Sequence, residues 1–143
     1  MICRRMEEKD LEQVCWIENH IFSKPWSRDD FFSSFKNKNN IYIVAEKEEE
    51  ILGYCGLWGV VGEGQINNVA VKEEARGRGV GYKLLARLIE EGRADNMTAF
   101  TLEVRESNIK AISLYMKLGF DAVGVRKEFY DAPKENAIIM WLQ

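Results

Sequence analysis

The sequence predicts an α+β fold, with an α/β arrangement as the near alternative, built in three layers on one mixed sheet. Three observations carry that expectation. Strand-like runs joined by short turns fill residues 41–71, strand and helix signals alternate up to residue 120, and two more strand-like runs close the chain. With 143 residues, two prolines, no internal repeat and no low-complexity segment, residues 1–143 read as one domain.

Each element follows from local chemistry. Ile2 to Met6 suits a short first strand. From Glu8 to Phe22, the apolar residues Leu11, Val14, Cys15, Ile17, Ile21 and Phe22 approximate one helical face. The stretch "SKPWS" ends that helix, because Pro25 cannot continue it. Ser27 then supplies an N-cap for "RDDFFSSF", and Asp29 and Asp30 in its first turn favour the helix dipole. "IYIVAEK" and "EEEILGYCGLWGVV" read as antiparallel strands, with the acidic cluster Glu46 to Glu50 a solvated hairpin turn. "GEGQINNVAV" is a third strand, broken early by Gly62 and Gly64. A glycine-rich turn opens a helix from about Val80 to Arg93, striped by Leu84, Leu85, Leu88 and Ile89. "MTAFTLEV" is a strand, and "SNIKAISLYMKLG" a helix with Ser107 as N-cap and Gly119 as its stop. "FDAVGVRKEFY" and "ENAIIMWLQ" finish as a strand pair.

Composition excludes several function classes. A hydrophobic fraction of 46% and a charged fraction of 30% are those of a soluble globular chain. No apolar run approaches the roughly 18 residues that span a bilayer, and "MICRRMEEKD" lacks a signal-peptide core. A cytoplasmic protein without a membrane partner is therefore expected. Net charge of -3 gives no footprint for direct nucleic-acid binding. Cys3, Cys15 and Cys55 are scattered and odd in number, so reduced thiols are expected rather than disulfides. With His20 the single histidine, no metal site is expected. His20, Trp58 and Trp141 read as structural.

The most informative stretch is "VAVKEEARGRGVGYKLLARLIEE". Gly77, Gly79 and Gly81 stand between an apolar strand and a helix start. Free N–H groups and the dipole at a helix N-terminus attract anions, and glycine lets a phosphate approach the backbone closely. Arg76 and Arg78 add charge beside that spot. A Walker A loop is excluded, since Gly81 is followed by Tyr82, Lys83 and Leu84 rather than Lys and Ser or Thr. A dinucleotide fingerprint from Gly77 would need glycine where Tyr82 stands, and it would come after three strands rather than in a first βαβ unit. On spacing alone, a flexible loop beside a solvated arginine pair remains equally open.

The stretch Arg76-Gly77-Arg78-Gly79-Val80-Gly81 resembles the signature Gln/Arg-x-x-Gly-x-Gly/Ala of the GNAT superfamily of acyl-CoA-dependent N-acetyltransferases. With "NVAV" before the loop, and "LEVRESNIKAISLYMKLGF", "ENAIIMWL" and "KPWS" elsewhere, the chain closely resembles the bacterial RimI group from Met1 to about Leu142. Members of that group acetylate the N-terminal α-amine of a small-subunit ribosomal protein. The resemblance implies a mixed, mostly antiparallel sheet of about six or seven strands flanked by about four helices. It implies acetyl-CoA as cosubstrate, with Val69, Ala70 and Val71 along the pantetheine arm and Gly77 to Tyr82, including Val80, around the pyrophosphate. It also implies Asn108 on the cofactor, Glu103 as general base and Tyr115 as general acid.

The chemistry asks for such groups. An amine attacks a thioester only when neutral, and an α-amine (pKa about 7.7–8.0) loses its proton far more readily than lysine (about 10.4). One carboxylate can relay that proton, directly or through water. By pattern alone Glu103 reads as a polar residue alternating with Leu102 and Val104, and Tyr115 reads as a core tyrosine beside Ile112 and Leu118. Only the resemblance turns both readings toward catalysis. For Asn108, ordinary helix-start chemistry is the simple alternative. Trp26 and Tyr130, with Pro25 and Phe129, fall where the family builds its acceptor groove; core packing or surface capping is as good a reading. "SKPWS" and "EFYDAPKEN" depart from the forms expected of the family, which bears on acceptor identity. A lysine side chain, polyamine or small amine is the alternative acceptor, and a non-catalytic acyl-CoA-binding module the alternative class.

Overall fold

The computed structural model describes residues 1–143. Strand β1 (Ile2–Arg5) leads through a 3-10 turn at Glu8–Asp10 into helix α1 (Leu11–Ile21). This helix starts later than its apolar pattern suggests. The Asp10 carboxylate accepts the Glu7 N–H at 2.8 Å and both its oxygens bond the Arg4 guanidinium, which holds residues 8–10 in the tighter turn. Helix α2 (Arg28–Lys36) carries the expected cap: Ser27 Oγ accepts the Asp30 N–H at 3.1 Å, and the Asp30 carboxylate accepts the Ser27 N–H.

Strands β2 (Ile41–Lys47), β3 (Glu50–Val60) and β4 (Glu63–Val71) form an antiparallel meander. Gly62 lies in the β3–β4 turn at φ 79°, but Gly64 does not break the strand. It pairs with Gly59, and a Cβ on it would stand 2.9 Å from the Phe100 ring, so glycine is there to let the ring pack. Helix α3 (Val80–Ala94), strand β5 (Ala99–Arg105), helix α4 (Ile109–Lys117) and the hairpin of β6 (Asp121–Asp131) and β7 (Lys134–Leu142) follow. Gly119, at φ 102°, stops α4 as expected. The α4 cap is Asn108 rather than Ser107: Asn108 Oδ1 accepts the Ala111 N–H at 3.2 Å, while the Ser107 N–H is taken by the Glu135 carboxylate at 2.6 Å.

The seven strands lie in the order β1-β2-β3-β4-β5-β7-β6, antiparallel except for β4 and β5. Strict alternation divides the core between two faces. Ile41, Ile43 and Ala45 pack with Leu84, Leu85 and Leu88 of α3, whereas Tyr42 and Val44 pack with Leu11, Val14 and Ile17 of α1 and Phe31 of α2.

The sheet opens along one seam. β4 pairs with β5 only over Glu63–Gln65 against Ala99–Thr101. Beyond that, β4 carries a bulge: Gly56 faces Asn68 and Leu57 faces Ile66, leaving Asn67 as the extra residue. A bulge bends its strand and increases local twist. Here it falls where β4 and β5 part, and the C-terminal half of β4 is left without a partner on that side.

Candidate active site

Two cavities occupy the open seam. The first, about 830 Å³, lies between the end of β4, the glycine turn, the start of α3 and one face of α4. Val69, Ala70, Val71, Arg76, Gly77, Gly79, Val80, Gly81, Tyr82 and Asn108 all line it, while Arg78 does not. Gly77 and Gly79 have φ of 79° and 76°, left-handed values that glycine adopts without strain, and a Cβ on either would meet nothing within 4 Å. Gly79 is the α3 N-cap and has no side chain to cap the helix; the first intrahelical bond runs from Lys83 N–H to Gly79 C=O. The N–H groups of the first turn are therefore free for an anion, as the dipole favours. Arg76 Nε is committed to the Val71 carbonyl at 3.1 Å, which fixes the turn against the strand end. Asn108 lines the cavity while its Oδ1 caps α4, and its amide nitrogen makes no hydrogen bond to the protein.

The second cavity, about 440 Å³, brings Trp26 and Tyr130 together with Glu18, Asn67, Asn68 and Arg105. It continues along β4 from the first: Asn68 lines one and Val69 the other. Arg105 pairs with Glu135 at 3.2 Å and sits over the Tyr130 ring, 4.3 Å from its centroid, so the ring is held by cation–π contact. Phe129 packs edge-on against Tyr130 at 5.0 Å.

Glu103 and Tyr115 lie on opposite faces of the sheet. Leu102 and Val104 are buried in the α3–α4 core, so Glu103 projects from the other face of β5, as alternation requires. Arg105, two residues on, shares that face and lines the second cavity. Arg126 Nε lies 3.3 Å from Glu103 Oε2 without donating to it, and this buried oxygen has no hydrogen-bond partner. Tyr115 is 8% exposed and packs against Phe120 at 5.9 Å. Burial, with smaller effects of Cys55 and Tyr130, pushes its phenol up to about 12. Tyr130 is likewise raised by burial and then by the nearby Glu103 charge. Neither Glu103 nor Tyr115 lines either cavity.

Sequence reasoning missed Glu18, Asn67 and Asn68. The asparagine pair had a readable signal, because Asn is depleted in strands and two in succession mark an irregularity. Glu18 had none; its role depends on partners brought close only by folding.

The model of the acetyltransferase (GNAT) family matches residues 11–120. A Bacillus subtilis protein, provisionally named a ribosomal protein bS18-alanine N-acetyltransferase, is 38% identical over 140 residues, spanning 97% of this chain and 93% of the relative. A Haemophilus influenzae protein named ribosomal protein bS18-alanine N-acetyltransferase is 33% identical across 97% of this chain and 96% of its own. The crystal structure of the ribosomal-protein-S18-alanine N-acetyltransferase from Escherichia coli superposes with a TM-score of 0.89 at 30% identity, over 99% of this chain and 92% of that one. Seven strands, four helices, the open seam and these matches agree: the chain belongs to the GNAT family of acetyltransferases.

Proposed function

We propose that this acetyltransferase uses acetyl-CoA to modify the N-terminal α-amine of a protein, and that the acceptor is a small-subunit ribosomal protein like that named for its relatives. The observation that carries this reading is the meeting of two cavities on β4, at Asn68 and Val69, one over the bare N-terminus of α3 and the other walled by Trp26 and Tyr130. Acetyl-CoA, when bound, supplies an activated thioester carbonyl and a thiol leaving group.

The chain's own residues supply the rest. The bare N-terminus of α3 and the glycine turn hold the pyrophosphate, and the unpaired edge of Val69 to Val71 offers backbone groups to the pantetheine amides. Trp26 and Tyr130 wall the acceptor side and orient the incoming chain end. Glu103 accepts the amine proton; its Oε2 accepts no hydrogen bond from the protein, and the Arg126 guanidinium 3.3 Å away keeps the carboxylate in an ion pair. An α-amine needs little help, being partly neutral near pH 7–8, whereas a lysine at about 10.4 would need a far stronger base.

Tyr115 donates a hydrogen bond to the departing sulfur. Because its phenol is held at about 12, it stays protonated throughout the working range. Complete transfer to a thiolate near 8.5 would run uphill by about 5 kcal/mol. Tyr115 therefore stabilises developing charge, and the proton that neutralises the thiolate comes from the amine by way of Glu103.

The test presents the enzyme and acetyl-CoA with peptides bearing a free N-terminal Ala or Ser, beside N-blocked peptides containing lysine. Mass spectrometry is expected to find the acetyl group on the α-amine of the free peptides alone. Modification of the lysine peptides, or of neither set, would overturn the α-amine reading.

A further inference from the structure

Glu18 is a carboxylate 2% exposed, in the last turns of α1, and it lines the second cavity. The six residues that leave α1 and enter α2 form no regular structure, and four of them, Phe22, Ser23, Lys24 and Trp26, line the same cavity. This wall hangs on one residue. The Glu18 carbonyl accepts the Phe22 N–H at 3.0 Å, and Glu18 Oε2 accepts the Trp26 N–H at 2.9 Å. These are the only hydrogen bonds that residues 22–26 make. The other oxygen, Oε1, accepts the hydroxyl of the buried Tyr54 on β3, which anchors the carboxylate to the sheet. Trp26 is then free to stack on Trp58, with centroids 5.9 Å apart and planes at 19°, and to lean on Phe31 at 5.2 Å.

We propose that Glu18 is the positioning residue of the acceptor wall, fixing the backbone of Trp26 to the sheet through Tyr54 and so setting the affinity for the acceptor without touching the site of acetyl-CoA. Three features favour this over a purely structural role. A buried carboxylate costs free energy that a neutral residue would avoid. Its two side-chain hydrogen bonds join the Trp26 backbone to Tyr54 of the sheet, and the wall has no other backbone anchor beyond Phe22. The segment that Glu18 holds, through Phe22, Ser23, Lys24 and Trp26, lines the second cavity, whereas the first is lined by the glycine turn and α4 and from this region by Ile21 alone.

The inference rests on the acceptor assignment of the second cavity, so the test pairs kinetics with a readout that needs no acceptor. Glu18→Ala is expected to raise KM for an Ala-ended peptide about tenfold, the loss of one hydrogen bond to a charged group. KM for acetyl-CoA should stay within about twofold of wild type, well under the tenfold that 1.4 kcal/mol brings. Amide hydrogen exchange should show the Trp26 N–H losing its protection. Glu18→Gln keeps an oxygen for Trp26 and offers an N–H to the Tyr54 hydroxyl, so it should recover most of the peptide affinity and the Trp26 protection. If Glu18→Ala is too unstable to assay, Trp26→Ala removes the wall with Glu18 in place and should give the same split between the two KM values.

An unchanged Trp26 exchange rate in Glu18→Ala would overturn the proposal. So would KM values that rise together, or a Glu18→Gln enzyme as impaired as Glu18→Ala, which would mean that charge rather than position is needed. A wild-type enzyme inert toward every peptide would sink the α-amine reading instead, and exchange at Trp26 would still decide whether Glu18 holds the wall.

Discussion

On the proposed function Glu103 and Tyr115 divide the proton chemistry, and the two positions should fail differently. Replacing Glu103 by Gln keeps the shape of the strand face and removes the base. The expected loss in kcat is about 10²–10⁴-fold, the usual worth of one general base, with KM for acetyl-CoA little changed. That loss should shrink as pH rises toward 9, because a larger fraction of α-amine is then neutral without assistance. Tyr115→Phe removes a hydrogen bond that matters only as the sulfur departs, so about a 10²-fold fall in kcat is expected, and it should not recover at high pH. Steady-state rates at several pH values separate the two; matching pH dependence in both variants would void the division of roles. Glu103 was half legible from the sequence, since alternation with Leu102 and Val104 fixed its face. That its Oε2 would be buried without a donor was not legible, because that depends on Arg126 of β6, two strands away in the sheet. Glu18 was invisible for the same reason: Tyr54 is 36 residues away along the chain.

At the level of elements, the turn before α3 does two jobs, and a single substitution can separate them. Gly79→Ala forces a side chain into a left-handed conformation, which costs about 1 kcal/mol in stability. The new Cβ would meet no protein atom within 4 Å, so it clashes with nothing the chain itself places there. It would stand in the cavity that the proposed function gives to the pyrophosphate. KM for acetyl-CoA is therefore expected to rise about tenfold, equivalent to about 1.4 kcal/mol, while KM for the acceptor stays put. Equal changes in the two constants would show that the glycine serves the fold alone. This turn was readable because its signal is local: strand, glycines, then a leucine stripe. The cap of α4 was misread by one residue because Ser107 and Asn108 are both good caps, and it is the Asn108 Oδ1 that reaches the Ala111 N–H. The parting of β4 from β5 was not readable at all. It arises from pairing register, and no local propensity sets how far two parallel strands remain joined.

Across the whole molecule, carboxylates that pair with arginine tie the peripheral elements to the sheet, and they set its response to acid. Arg4 on β1 reaches Asp10 at 2.8 Å and Glu46 on β2 at 2.7 Å; Arg5 reaches Glu91 on α3 at 2.6 Å; Arg105 on β5 reaches Glu135 on β7 at 3.2 Å. Burial alone would raise the Asp10 carboxyl, but the hydrogen bonds from Arg4 and from the Glu7 N–H outweigh it and hold the group below its ordinary value of 3.8. Glu91 is lowered from 4.5 mainly by its bond to Arg5, and Glu135 mainly by Ser107 ahead of Arg105. Each of these groups binds protons more tightly unfolded than folded, so stability is full above the unfolded values and falls as pH drops through about 4.5 and below. Thermal unfolding should then be nearly flat between pH 7 and about 5.5 and decline steeply below about 4.5. Asp10→Asn tests the assignment: it gives up a charge-assisted link at neutral pH, so it should melt lower than wild type there. In acid, wild-type Asp10 is itself protonated and loses the same link, so the gap between the two melting curves should narrow as pH falls. A gap that stays constant with pH would assign Asp10 to packing, and the acid response of β1 and α1 would have to come from elsewhere.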